Sequence, residues 1–153
     1  MFPKNKFKPS KPRRTLKPLL TENEKQTTDI AALSYDFACR AVRLYQYLTE
    51  TPQSKEYTLS KQILRSGTSI GANVSEAQNA QSRADFLAKM TIASKEANET
   101  SYWLNLLHDN GYLTDPQFTS LNHDMERILC KLVAIVKTTS ENLQKQKAEN
   151  KAK

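Results

Sequence analysis

Few side chains in this sequence could support catalysis or bind a metal ion. The chain has two histidines, His108 and His123, and two cysteines, Cys39 and Cys130. These four residues could be grouped as a zinc site, but their spacing matches none of the usual zinc-ligand patterns. We therefore expect two small buried thiols, two partly exposed histidines at helix ends, and neither a metal nor another cofactor.

Three glutamates, Glu76, Glu96 and Glu99, could suggest a carboxylate metal centre inside a helical bundle. Di-iron bundles, however, carry a Glu-x-x-His pair on each of two helices, and this sequence has none. The glutamates are better explained by salt bridges or hydrogen bonds within or between subunits. Gly67 and Gly71 also lack the GK[ST] ending of a phosphate-binding loop. The sequence thus predicts a protein that is not an enzyme.

The first twenty residues are strongly basic and contain no acidic residue. The rest of the chain has sixteen basic and sixteen acidic residues, so the net charge of +7 comes from this segment. Its four prolines oppose a helix, and we expect residues 1–25 to be a disordered basic arm. The basic residues of the arm are Lys4, Lys6, Lys8, Lys11, Arg13, Arg14 and Lys17.

Such an arm could contact nucleic-acid phosphates, with Phe2 and Phe7 stacking on unpaired bases. A solubilising extension is the alternative, and the composition is compatible with both. Four further cations form short stripes on polar helix faces and could add phosphate contacts or be simply solvated. They are Arg40, Arg43, Lys61 and Arg65.

Apolar residues recur every three or four positions in four segments, which predicts four amphipathic helices. We place these helices at about residues 28–49, 54–80, 82–110 and 115–143. Their short connections favour an all-α, antiparallel up-and-down four-helix bundle over residues 26–145. The polar residues 146–153 are expected to fray.

Helix start and stop signals support these boundaries. Pro52 ends the first helix, and Ser82 is the expected N-cap of the third, with Asp85 three residues later. Gly111 is an expected stop in the left-handed conformation. Thr114 and Gln117 predict a capping box for the fourth helix.

Three other features indicate close packing or assembly. Gly67 and Gly71 each cost the second helix about 1 kcal/mol relative to alanine, which suggests a close backbone approach or a bend. Tyr102 and Trp103, with Leu106 nearby, could be ordinary packing or the anchor of an interface. Apolar residues beyond the core stripes favour a homo-oligomer over a monomer. These are Val42, Tyr45, Ile92 and Leu106.

Over residues 28–140, the chain resembles the four-helix-bundle family of proteins encoded in intervening sequences of 23S rRNA genes. The most specific part is the segment RSGTSIGANVSE at residues 65–76. Other matching groups are Asp85-Phe86, Lys89-Met90, Ile92-Ala93, Lys95-Glu96-Ala97, Glu99-Thr100, Tyr102-Trp103-Leu104 and Gly111-Tyr112-Leu113.

The resemblance implies a four-helix protomer that assembles as a homopentameric ring, and it supplies no catalytic residues. It also implies a relation to the accessory variability proteins of diversity-generating retroelements, which bind nucleic acid and a reverse transcriptase through a basic surface. We interpret part of the shared pattern as an oligomer or partner interface. The residues assigned to it are Ser66, Gly67, Ile70, Gly71, Asn73, Glu76, Glu99, Tyr102, Trp103 and Leu106.

We therefore predict a cytoplasmic, non-enzymatic homo-oligomer that binds RNA or DNA through its arm and its basic helix faces. The alternative is a protein-interaction scaffold or accessory subunit, for example of a reverse transcriptase, that does not itself contact nucleic acid. No apolar run is long enough for a membrane span, and no secretory signal is recognisable.

Overall fold

The protein forms four α-helices in a computed structural model that describes residues 22–52 and 54–152, with side chains from residue 29 onward. The helices are α1 (Glu22–Glu50), α2 (Leu59–Ala77), α3 (Arg83–Asp109) and α4 (Asp115–Lys151). No strand occurs among the described residues. The predicted all-α, four-helix class is confirmed.

The helices follow one another around a shared core. Each helix packs against its neighbours in sequence, and α4 returns to α1. The α1/α4 contact is the least extensive of the four, and the α2/α3 contact lies on the opposite side of the bundle. The fully buried core is built from the predicted stripes, and its largest side chains are Ile30, Phe37, Leu44, Leu48, Ile63, Ile70, Met90, Leu104, Leu107, Leu121, Met125 and Ile128.

Helices α1 and α2 approach closely at the two glycines of α2. A Cβ atom on Gly67 would lie 2.9 Å from the Cβ of Ala41, and one on Gly71 would lie 3.3 Å from the backbone oxygen of Ser34. Of the two explanations offered by the sequence, a close backbone approach is therefore correct. The glycines hold α1 against α2 within one protomer.

Helix α2 begins five residues later than predicted because a glutamate caps it. Glu56 Oε1 accepts hydrogen bonds from the backbone N–H groups of Thr58 and Leu59 at 2.9 and 2.8 Å, and Oε2 accepts from that of Ser60 at 2.6 Å. Burial by itself raises the pKa of Glu56, but the backbone donors, led by Leu59 and Ser60, outweigh it and lower the pKa below its usual value. Before this cap, Lys55 has a left-handed φ of 41°, which is incompatible with the helix predicted from residue 54.

The predicted signals at the two ends of α3 and at the start of α4 behave as predicted. The Ser82 side chain accepts from the Asp85 backbone N–H, and Thr114 and Gln117 form a complete capping box. Gly111 has a φ of 78°, and the backbone N–H of Tyr112 donates to the Leu107 carbonyl, which is the Schellman pattern. Helix α2, predicted to reach residue 80, ends at Ala77 in a short turn.

The two ends of the chain differ from expectation. Helix α1 begins at Glu22, inside the segment predicted as arm, while residues 1–21 lie outside the described residues. Helix α4 continues to Lys151 instead of fraying after residue 143. Its last residues include no glycine or proline, and extending a formed helix adds a hydrogen bond per residue without a new nucleation cost.

Candidate interaction surfaces

Arg40, predicted to contact phosphate, is engaged within the protomer. Its guanidinium forms an ion pair with Asp124 of α4 and donates to the carbonyl and the hydroxyl oxygens of Ser120 at 3.0 and 2.8 Å. The Arg40 side chain is only 19% exposed. A second ion pair, Lys131 with Asp29, joins the same two helices. Arg40 therefore joins α1 to α4 and is not a free cation.

The other basic helix residues do not combine with Arg40 into one surface. Arg65 pairs with Glu99 across the α2/α3 contact, on the side of the bundle opposite to Arg40. Arg43 on α1 and Lys61 on α2 are exposed. Arg40 and Arg65, both predicted to contact phosphate, are therefore engaged in ion pairs on opposite sides of the bundle. The seven basic residues of the arm lie outside the described residues.

Four of the ten residues assigned to an interface instead pack inside the protomer. Ser66, Gly67 and Ile70 are buried, and the Thr100 hydroxyl donates to the Ser66 hydroxyl oxygen at 2.9 Å. Gly71 is half-buried against α1. Ser66, Gly67 and Ile70 therefore have no surface to offer another molecule. They are corrected from interface residues to packing residues of the protomer.

The remaining assigned residues share one outward surface, which we call the outer α2/α3 face. Two ion pairs, Arg65 with Glu99 and Glu76 with Lys89, cross it from helix to helix. The Glu76 carboxylate raises the pKa of Lys89 above its usual value. The members of the face are Arg65, Asn73, Glu76, Lys89, Ile92, Glu96, Glu99, Tyr102, Trp103 and Leu106.

Aromatic and apolar groups lie among these charges. Tyr102 is 59% exposed and packs edge-on against the Trp103 ring, with centroids 4.9 Å apart. The Trp103 Nε1–H donates to Glu99 Oε1 at 3.1 Å, so Glu99 binds both Arg65 and the indole. Ile92 lies seven residues before Glu99 on the same side of α3 and is 40% exposed. The face thus combines accessible apolar area with oriented charges.

One carboxylate oxygen on this face is not satisfied. Glu96 Oε2 is buried and has no hydrogen-bond partner among the described residues. Burying a polar oxygen without a partner costs free energy, so the atom marks a position where a donor from another molecule or a solvent molecule would stabilise the protein. Leu106 and Trp103, both half-buried, lie further along the same side of α3.

The histidines and cysteines do not form a metal site. No group of three or more His, Cys, Asp or Glu side chains with suitable geometry exists in the part of the chain that the structure describes. His108 Nε2 lies 2.7 Å from Asp115 Oδ1, and its ring stacks on Phe118 at 4.2 Å, which joins α3 to α4. Cys39 is partly exposed and Cys130 is exposed, so the expectation of two buried thiols is wrong.

None of the described helices combines the length and the apolar character needed to cross a membrane. No curated protein matches the sequence.

A solved structure has the same fold and a closely related sequence. It is the crystal structure of a protein of unknown function from the S23 ribosomal protein family of Bacteroides thetaiotaomicron. The two chains are 51% identical and superpose with a TM-score of 0.70, over 73% of this chain and 98% of the other. The family model described as 23S rRNA-intervening sequence protein matches residues 26–134. The chain therefore belongs to the family of 23S rRNA-intervening sequence proteins.

Proposed function

We propose that this protein is a non-enzymatic, homo-oligomeric helical bundle that binds RNA or DNA through the basic residues of its N-terminal arm. One observation carries the nucleic-acid part of the proposal: the first twenty residues hold seven cations and no anion. Positive charge of this density binds phosphate backbones without needing a particular sequence. The ion pairing of Arg40 and Arg65 leaves fewer of the helix cations available to phosphate.

Assembly would compensate for the small number of contacts made by each arm. The outer α2/α3 face offers Tyr102 and Ile92 to a second copy, and the family resemblance implies a ring of five protomers. Several arms on one assembly would bind one nucleic acid with an avidity greater than that of any single arm. Self-association would thus strengthen the binding of nucleic acid.

Fluorescence anisotropy with a labelled single-stranded RNA of about 30 nucleotides tests this function. The full chain is compared with a variant in which the seven arm cations are changed to glutamine. Seven phosphate contacts to a single strand give a plot of log K against log salt with a slope near −5, and the variant should lose most of that slope. A second variant, Arg43→Gln with Lys61→Gln, should bind like the unmodified chain. Equal binding by the chain and its arm variant would overturn the proposal.

A protein-interaction scaffold is the second candidate, favoured by the exposed Tyr102 beside Trp103. Aromatic residues of this kind are enriched among interface anchors. In that case a protein partner, such as a polymerase or a reverse transcriptase, would stay bound at high salt and would be lost in Trp103→Ala. Nucleic-acid binding by the purified chain would then be absent.

A further inference from the structure

The outward side of α1 leaves a group of apolar side chains exposed to solvent. Tyr35 is 57% exposed, and Val42, seven residues later on the same side of the helix, is 41% exposed. Cys39 lies between them and is partly exposed, and Asp36 beside Tyr35 is also exposed. Neighbouring exposed apolar side chains, unlike scattered ones, indicate a surface that another molecule covers. We call these four residues the α1 stripe.

The α1 stripe and the outward side of α3 lie on helices that do not contact each other. In the bundle, α1 packs against α2 and α4, and α3 packs against the same two helices. The outward side of α3 exposes Tyr102 at 59% and Ile92 at 40%. One protomer can therefore use the two surfaces for two different neighbours at once. A contact between two different surfaces is heterologous and joins copies head to tail.

Contacts inside the protomer show that the two surfaces lie at the same level along the bundle. A Cβ on Gly67 of α2 would lie 2.9 Å from the Ala41 Cβ, and the adjacent Ser66 accepts a hydrogen bond from the Thr100 hydroxyl at 2.9 Å. Ala41 of α1 and Thr100 of α3 are therefore level to within the rise of one residue, about 1.5 Å. Both helices run antiparallel to α2, so they point in the same direction.

Counting along both helices from this shared level matches residues of the two surfaces. Asp36 and Lys95 each lie five residues before it, while Val42 lies one residue and Tyr102 two residues after it. Copies related by rotation about an axis parallel to the helices keep these levels and directions. In such an assembly, α1 of one copy runs parallel to α3 of the next, with Asp36 level with Lys95 and Val42 level with Tyr102.

The charges of the two surfaces are complementary in this register. Asp36 and Lys95 are both exposed, and neither forms a salt bridge among the residues that the structure describes. An antiparallel contact centred at the same level would instead bring Val42 to Glu99 and Asp36 to Asn105, which offers no opposite charge. The parallel contact is therefore the one that the charges favour.

We propose that the α1 stripe of one copy binds the outward side of α3 of a second copy, in a parallel, head-to-tail contact that pairs Asp36 with Lys95. The inference rests on the proposed homo-oligomer and identifies the two surfaces that join its copies. Tyr35 and Ile92, whose levels differ by two residues or about 3 Å, extend the apolar part of the contact. The apolar and aromatic groups supply most of the affinity, and the ion pair determines direction and register.

Two variants that each block one surface test the head-to-tail arrangement. Val42→Glu blocks the α1 stripe and Tyr102→Glu blocks α3, both at exposed positions, and circular dichroism checks that each variant is folded. Sedimentation velocity should find each variant monomeric at a concentration at which the unmodified chain assembles. Their equimolar mixture should form a heterodimer and nothing larger, because each retains the surface that the other lacks. A mixture that stays monomeric, or either variant assembling alone, would overturn the proposal.

An exchange of charges tests the register independently of the apolar contact. Asp36→Lys or Lys95→Glu alone places like charges together and should raise the protomer concentration at half-assembly about tenfold. The two changes in one chain should restore that concentration to within about threefold of the unmodified value. Glu141→Lys and Lys137→Glu, at exposed positions of α4, are the matched controls and should have no effect. A double variant that assembles no better than the single variants would overturn the pairing.

The outcomes separate this inference from the function on which it rests. If the unmodified full chain remains a single protomer, the proposed homo-oligomer fails and this inference fails with it. If the unmodified chain assembles and the variants of both surfaces assemble equally well, its copies join through other surfaces. In that case only this inference is overturned.

Discussion

The two sides of helix α2 have different tasks, although they come from the same short segment of sequence. On the inner side, Gly67 and Ile70 are buried and bring α1 within van der Waals contact. On the outer side, Arg65 and Glu76 reach across to α3 through ion pairs that remain exposed to solvent. The inner side determines how the protomer folds, whereas the outer side is available to other molecules. Residues 65–76 therefore pack against α1 at some helix positions and form solvent-exposed ion pairs with α3 at others.

Substitution of Gly67 by leucine should have the largest effect. A Cβ alone would lie 2.9 Å from the Ala41 Cβ, so a leucine side chain cannot be accommodated without separating α1 from α2. We expect a loss of about 3 kcal/mol in the free energy of unfolding, measured by urea denaturation at a fixed protomer concentration. Ala72→Leu, at an exposed position of the same helix, is the matched control and should change stability by less than about 0.5 kcal/mol. Equal losses in the two variants would contradict the division of α2 into two sides.

Substitution of Tyr102 by serine addresses the outer side. The side chain is 59% exposed in the protomer, so its removal should leave the unfolding of the isolated subunit nearly unchanged. If it anchors an interface, self-association should weaken by about 2 kcal/mol, or about thirtyfold in the dissociation constant. Analytical ultracentrifugation over a range of concentrations measures this change. An unchanged dissociation constant would show that Tyr102 is not an interface residue.

Substitution of Glu56 by glutamine should loosen the start of α2 and so affect both of its sides. The amide group cannot reproduce the acceptance of three backbone N–H groups, and we expect a loss of about 1.5 kcal/mol at neutral pH. The pKa of Glu56 is lowered in the folded state, so its carboxylate stabilises the fold fully at any pH above the pKa that Glu56 has in the unfolded chain. This stabilisation disappears as the pH falls through the folded-state pKa. The stability difference between the two proteins should therefore shrink below about pH 4.5. A difference that stays constant on acidification would exclude the carboxylate as its source.

Substitution of Gly71 by alanine should have the smallest effect. Its Cβ would lie 3.3 Å from the Ser34 carbonyl oxygen, which is crowded but does not overlap as it does at Gly67. Alanine also favours the helix by about 1 kcal/mol over glycine, so the two effects largely cancel. We expect a change in unfolding free energy below about 1 kcal/mol by the same urea measurement. A loss as large as that of Gly67→Leu would show that the α1 backbone cannot yield at Ser34.

Local signals in the sequence were sufficient for much of the fold. The Thr114–Gln117 capping box and the Gly111 stop depend only on residues that are neighbours along the chain, and both form as predicted. The core stripes follow from helical periodicity in the same way. The later start of α2 was missed because the side chain that caps it belongs to Glu56, three residues before Leu59, whereas Thr58 at the usual cap position makes no side-chain cap hydrogen bond.

The contacts at the candidate surfaces join residues that are far apart in the sequence, so neighbouring residues could not predict them. Arg40 and Asp124 are 84 residues apart, and only the register of α1 against α4 brings them together. The pairing of Arg65 with Glu99 likewise depends on how α2 packs against α3. Periodicity shows that residues 65–76 have two sides, but it cannot determine which side faces α1. Two of the four helix cations predicted to contact phosphate are therefore paired within the protomer, and three buried residues were assigned to an interface.

Light scattering of the purified full chain, with absorbance used to detect nucleic acid and repeated after a high-salt wash, tests the proposed function most directly. We expect a particle of several protomers, near five times 17.4 kDa if the ring implied by the family forms, with bound nucleic acid that salt releases. A single protomer of 17.4 kDa free of nucleic acid at low salt would contradict both the assembly and the avidity on which binding depends.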